Sequence, residues 1–192
     1  MSVMEQTALT PDFSFLERAE ASGPFNAAEC FQCRKCTNGC PVSFEMDLFP
    51  DQIIRLAVLG QRREILQSKT IWVCASCETC STRCPNGVRI AELMDYFKEL
   101  AVRAGVTPAM PRVAGFHQAF LENIRLSGRI FEGALLPAWW LKTGQIGEKL
   151  RTGEIRNDLK QALGLFGKNR MPLMPGKIKG RSKVKAIIRS SR

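Results

Sequence analysis

Two stretches decide how this chain folds: Cys30-Phe31-Gln32-Cys33-Arg34-Lys35-Cys36-Thr37-Asn38-Gly39-Cys40-Pro41 and Cys74-Ala75-Ser76-Cys77-Glu78-Thr79-Cys80-Ser81-Thr82-Arg83-Cys84-Pro85. Both read C-x2-C-x2-C-x3-C-P, and each Cys of the second lies 44 positions after its counterpart. Together they hold all eight cysteines of the 192-residue chain.

The spacing has a chemical reason. Three thiolates at intervals of three, on a tight loop, reach three irons of one cubane from one side. The fourth Cys is displaced, and the Pro behind it turns the chain away. In proteins with two such runs, the fourth Cys ligates the other cluster. Cys30, Cys33, Cys36 and Cys84 are therefore expected to hold a first [4Fe–4S] cluster, and Cys74, Cys77, Cys80 and Cys40 a second. This crossed arrangement would staple the two halves of the fold together and bring the clusters close enough to exchange electrons. Two other uses of eight Cys compete with this one. Disulfides are disfavoured because Met1-Ser-Val-Met-Glu-Gln has no basic segment leading into an apolar core, and thiols of the cytoplasm stay reduced. Zinc ribbons use two separated C-x2-C knuckles rather than one four-cysteine run.

Outward from the motifs, the apolar residues recur at helical spacing. Pro11-Asp12 can start a helix carrying Phe13, Phe15 and Leu16, which Gly23-Pro24 ends. Between the motifs, Pro50 suits a first turn, and Ile53, Ile54, Leu56, Ala57 and Leu59 form a buried side before Gly60. A short helix follows over 61–66, and Ser68 is expected to cap another leading into Cys74. Val88, Ile90, Leu93, Met94, Phe97, Leu100 and Ala101 mark a longer helix that stops at Gly105. Thr107-Pro108 or Met110-Pro111 begins the next, with Val113, Phe116, Phe120, Leu121, Ile124 and Leu126 on its face. No convincing long period-2 run is present, so the expected fold class is all-α. The organisation expected is a helical lead-in over 1–28, a two-cluster domain over 29–105, a helical segment over 106–167 and a basic tail over 168–192.

Over 127–165 the pattern is apolar but broken by glycines, and reads as weakly structured. Trp139-Trp140 there either packs on the protein's own core or anchors another subunit. Met171-Pro-Leu-Met174-Pro-Gly breaks any helix, so the tail beyond it is expected to be extended or partner-dependent.

Charge sharpens the functional reading. The formal net charge is +10, yet residues 1–167 hold 19 basic and 18 acidic side chains. The other nine cations (Lys168, Arg170, Lys177, Lys179, Arg181, Lys183, Lys185, Arg189 and Arg192) stand in a tail without one acid. Two oxidised clusters at about −2 each would make the body modestly acidic, and Arg34, Lys35, Arg83 and Arg89 either offset that charge or are simply solvated. The tail has the charge for nucleic acid but no Phe, Tyr or Trp after Phe166 to stack on bases, so nucleic acid is a remote alternative. No uncharged apolar run approaches the ~20 residues of a membrane-spanning helix. The single histidine, His117, stands in a helical pattern and reads as structural, and no nucleotide fingerprint or nucleophile set can be assembled. No catalytic residue is expected. The chain can move electrons but has no visible site for transforming a substrate.

The motifs, with Trp72-Val73 before the second and Pro50-Asp-Gln-Ile-Ile-Arg-Leu between them, resemble those of the C-type subunit of heterodisulfide reductase, best over residues 25–105. The resemblance implies an α-helical ferredoxin-like domain with two [4Fe–4S] clusters, to which the periodicity adds C-terminal helices. A start without a signal-like pattern and the lack of a spanning run lead to an expected cytoplasmic location. The resemblance also implies work between a flavin-containing A-type subunit and a catalytic B-type subunit that carries cysteine-rich CCG motifs. This chain has no adjacent Cys pair and so lacks the catalytic partner's own motif. The iron–sulfur subunit of another dehydrogenase, feeding quinone or a membrane partner, stays open as an alternative.

Overall fold

The computed structural model describes residues 10–168, 176 and 178–190, and every regular element among them is helical. The chain divides into two compact units, 1–110 and 111–192.

In the first unit, α1 (Phe13–Ser22) begins at Asp12, whose carboxylate accepts the Ser14 N–H at 3.1 Å. Phe15 and Ala19 are its buried residues, whereas Phe13, expected on the apolar face, is exposed. The first motif leads into α2 (Lys35–Asn38), and the spacer forms α3 (Pro50–Val58), α4 (Arg62–Gln67) and α5 (Thr70–Val73). The second motif leads into α6 (Thr79–Arg83), and α7 (Ile90–Arg103) closes the unit. Helices α4, α5 and α6 all pack on α7, while α3 packs on α1, α2 and α4. This core is made by Phe15, Ile53, Ile54, Ile65, Leu66, Ile71, Val88, Ile90, Leu93, Met94 and Phe97, all essentially buried. Phe15 stacks on Phe97 with centroids 5.8 Å apart, which ties the lead-in helix to α7.

One expected cap is corrected. Ser68 ends α4 rather than starting α5: its N–H and Oγ both donate to the Ile65 carbonyl, at 3.1 and 2.8 Å. The start of α5 is held instead by Asp47, whose carboxylate accepts the N–H groups of Lys69 at 2.7 Å and Thr70 at 3.0 Å. A side chain 22 positions upstream of Lys69 replaces a local cap, which no short-range signal reveals.

In the second unit, α8 (Pro111–Ser127) starts at the later of the two candidate prolines. The stretch expected to be weakly structured forms α9 (Glu132–Lys142), α10 (Gln145–Thr152) and α11 (Glu154–Gly167). Gly128, Gly144 and Gly153 fall at helix junctions, whereas Gly133, Gly147 and Gly164 are accommodated within helices, so the glycines divide helices rather than dissolve them. Asn123 clamps the α8–α9 turn by exchanging two hydrogen bonds with the Phe131 backbone, at 3.0 and 2.7 Å. Trp139 meets the edge of Phe116 and donates its indole N–H to the Arg112 carbonyl at 2.8 Å. Trp140 lies under the Lys149 ammonium at 4.7 Å, so both indoles are engaged within the unit.

The extended tail is also corrected. Residues 181–190 form α12 (Arg181–Ser190), which packs on α8. Val184, Ile187 and Ile188 recur at helical spacing, and Arg181 donates to the Leu126 carbonyl. The Met171–Pro175 breaker and tail cations Arg170, Lys177 and Arg192 lie outside the described residues. Among the described residues no helix is long and apolar enough to cross a membrane.

Candidate metal centre

Each motif begins as a loop curled by two residues in left-handed backbone: Gln32 (φ 56°) and Arg34 (φ 63°) in the first, Ser76 (φ 49°) and Glu78 (φ 61°) in the second. The second pair stands at the same 44-residue offset as the cysteines. Non-glycine residues take this conformation only against a steric cost. Alternating it along the loop turns successive thiols toward one side. The loop then enters a one-turn helix, α2 or α6, on which Cys36 and Cys80 stand, and each helix gives way to the fourth Cys at Cys40 and Cys84.

Helices α2 and α6 pack on each other. The contact is close because a Cβ at Gly39 would come within 2.8 Å of the Arg83 guanidinium and 3.2 Å of the Lys35 carbonyl oxygen. That packing exchanges the last thiol of each motif. One cavity is lined by Cys30, Cys33, Cys36 and Cys84, with Gln32, Arg34 and Asp51 among its neighbours. The other is lined by Cys40, Cys74, Cys77 and Cys80, with Val42, Met46, Pro50 and Met94. Each measures about 340 Å3 with its open mouth included, and Ile90 lines both. All eight cysteines are free thiols.

The donors fit an iron–sulfur cluster. Among the described residues no three His, Cys, Asp or Glu side chains converge as one metal ion requires. The four thiols of each set instead surround a volume, and an all-sulfur donor set of this kind suits a polynuclear cluster. Burial pushes the Cys36 and Cys74 thiols above their usual range, and burial together with the neighbouring Cys74 takes Cys80 up to about 11. Cys77 is shifted down by its hydrogen bond to the Thr79 hydroxyl, at 3.4 Å. Buried thiolates need a compensating positive charge, which iron supplies when bound.

Several supporting residues carry no signal in the sequence. Asp51, only 6% exposed, accepts a hydrogen bond from the Thr37 hydroxyl and lies 3.7 Å from the Arg34 guanidinium. It thereby fixes the first motif to the first turn of α3. Gln32 donates its backbone and side-chain N–H groups to the Cys30 sulfur at 3.4 and 3.3 Å, the kind of contact that tunes a cluster's potential. Glu20 receives the N–H groups of Phe25, Asn26 and Ala27 and so sets the approach to Cys30. In the second motif Ser76 donates to Asp95 of α7 at 2.7 Å, and Asp95 also pairs with Lys98 at 3.1 Å. Of the four cations near the motifs, Arg34 and Lys35 line the first cavity, Arg83 packs over Gly39 and Arg89 pairs with Glu92. His117 packs beside Phe116 on α8, in the second unit.

Comparison with known proteins agrees with this chemistry. Residues 26–88 match a 4Fe-4S dicluster domain family. The chain is 36% identical over 106 residues to the C-type subunit of the H(2):CoB-CoM heterodisulfide,ferredoxin reductase of Methanothermobacter marburgensis, covering 55% of this chain and 57% of that protein. It is 32% identical over 136 residues to a C-type iron-sulfur subunit of the CoB--CoM heterodisulfide reductase of Methanocaldococcus jannaschii, covering 69% of this chain and 72% of that one. The C-type subunit of a ferredoxin:CoB-CoM heterodisulfide reductase from Methanosarcina acetivorans matches at 34% over 77 residues, 40% of this chain and 31% of its own length. The chain thus spans little more than half the length of the Methanothermobacter relative. The matched regions contain both cysteine motifs, all-helical packing and thiol-lined cavities suited to [4Fe–4S] clusters, the equipment of an iron–sulfur electron-transfer protein. The chain belongs to the family of C-type iron–sulfur subunits of heterodisulfide reductase.

Proposed function

We propose that this protein is the electron relay of a cytoplasmic heterodisulfide reductase-like complex. It carries electrons through two [4Fe–4S] clusters between a flavin-containing subunit and a catalytic subunit with CCG motifs that reduces a disulfide. One cluster is held by Cys30, Cys33, Cys36 and Cys84, the other by Cys74, Cys77, Cys80 and Cys40. The observation that carries this reading is the pair of four-thiol cavities, which share Ile90 in their walls. Redox centres in neighbouring cavities exchange electrons readily, and the one carboxylate lining either cavity, Asp51, is already held by the Thr37 hydroxyl and Arg34. Eight free thiols suit a reducing compartment. The names of the relatives place those proteins in heterodisulfide reductases, which supports the assignment of partners.

Anaerobic purification of the native protein by a small affinity tag tests this. A flavoprotein and a CCG-type subunit should co-purify, and reduced flavin should bleach the iron–sulfur absorbance of the complex. Recovery as a stable, partner-free monomer, or clusters that the flavin cannot reduce, would refute it.

A further inference from the structure

The second unit carries a charge that its own packing does not use. Residues 111–192 hold 17 Lys and Arg against five Asp and Glu. Four of those five acids are already paired: Glu148 with Arg112, Glu122 with Lys142, and Glu154 and Asp158 with Lys149. Among the described residues these pairs engage three of the unit's cations.

Helices α10 and α11 pack together as a hairpin about Gly153. The hairpin leaves Leu150, Leu159 and Leu163 60%, 61% and 63% exposed, with Leu165 also exposed. Leu159 and Leu163 stand four residues apart and share a face of α11, while Arg156 and Lys160 form the neighbouring exposed row. Arg151 and Lys168, exposed at the ends of the two helices, extend the cationic margin. The hairpin is therefore leucines bordered by cations whose acidic neighbours are spoken for, and it leads directly into a basic tail.

From this we infer that the α10–α11 hairpin docks the protein onto an anionic lipid surface. Short amphipathic helices with Leu on one side and Lys or Arg beside it lie in the headgroup plane, where apolar burial and attraction to anionic lipid act together. A protein partner suits the patch less well. Interface anchors are enriched in Trp, Tyr and Arg and poor in Leu, and this unit's Trp139 and Trp140 are engaged internally. Neither helix can span a bilayer, since they have 8 and 14 residues. The attachment is peripheral and would hold an electron carrier beside a membrane without anchoring it permanently.

Co-sedimentation of the full, cluster-loaded chain with vesicles tests the inference. It should bind vesicles containing phosphatidylglycerol, not phosphatidylcholine alone, with affinity falling steeply as salt rises. The pair Arg156→Glu and Lys160→Glu should lower the partition coefficient by at least about tenfold. Leu159→Gln with Leu163→Gln should lower it by a similar factor while leaving the iron–sulfur absorbance intact. Absence of binding to phosphatidylglycerol vesicles at low salt would overturn the inference, as would undiminished binding by the leucine variant. Loss of an acidic protein partner from the leucine variant, without any vesicle binding by the parent chain, would reassign the hairpin to a protein interface.

Discussion

Asp51 and Asp47 organise more of the first unit than the charges nearest the cysteines do. Asp51 satisfies the Thr37 hydroxyl and faces Arg34, so a buried carboxylate aligns one motif on α3. Asp47 works on the surface. Partial burial opposes its charge, yet hydrogen bonds from Lys69, Thr70 and Leu48 outweigh that and hold its carboxyl below the usual carboxylate range. A carboxyl lowered on folding stabilises the native state above its unfolded pKa of about 3.9, and that contribution disappears as pH falls through the folded value. Asp47→Ala should therefore cost about 1 kcal/mol at pH 7, as loss of a helix cap does. The gap between variant and wild type should close progressively below about pH 4. Urea unfolding followed by helical circular dichroism checks this, and a gap that persists unchanged in acid would rule out the carboxylate's charge as its source.

At the scale of elements, the junction of α3 with α1 sets the tightest demand. Gly60 sits at φ +72°, and a Cβ there would lie 1.9 Å from the Asp12 carbonyl oxygen, an atom of backbone. The same junction carries the Asp12 N–H to Leu59 carbonyl bond at 3.1 Å and the Gln61 amide to Thr10 carbonyl bond at 3.0 Å. Gly105 has a similar φ of +65° with nothing within 4 Å of the place a Cβ would take, so the two glycines separate conformational cost from collision. Gly105→Ala should lose about 1–2 kcal/mol, the left-handed penalty alone. Gly60→Ala should lose distinctly more, because backbone must move. Equal unfolding midpoints for the two variants would show that the α1–α3 junction yields freely. The sequence marks Gly60 as a helix terminator, and it is one, but its closeness to Asp12, far earlier in the chain, needed the folded protein.

For the molecule as a whole, the exchange of the last cysteine between motifs is the organising feature. It makes each cavity depend on both halves of the first unit, so neither motif is complete by itself. Cys40→Ser should therefore impair the cluster assigned to Cys74, Cys77 and Cys80, and Cys84→Ser the one assigned to Cys30, Cys33 and Cys36. Iron and sulfide analysis with paramagnetic resonance of the reduced protein distinguishes the two centres. Damage in Cys40→Ser confined to the first motif's cluster would contradict the crossed assignment. Charge divides the molecule in a different way. Residues 1–110 hold 11 Lys and Arg against 13 Asp and Glu, so the overall +10 belongs to the second unit.

The repeated cysteine run by itself determined the cofactor chemistry, because sulfur donors at those intervals have few other uses. The 3.6-residue apolar rhythm likewise determined most helices of the first unit, since burial of one face is a local property of sequence. Only the tertiary structure decided which supporting side chains matter. Asp51, Glu20 and Asp47 read as ordinary surface acids until folding brings backbone and hydroxyl donors to them from elsewhere in the chain. Ile90 was legible as a buried position, but its place in the walls of both cavities arises from the packing of α2, α6 and α7. The tail's charge was legible as well. Its helix was not, because the proline-rich break masks the helical spacing of Val184 and Ile188, the half-buried positions of a helix that packs on α8.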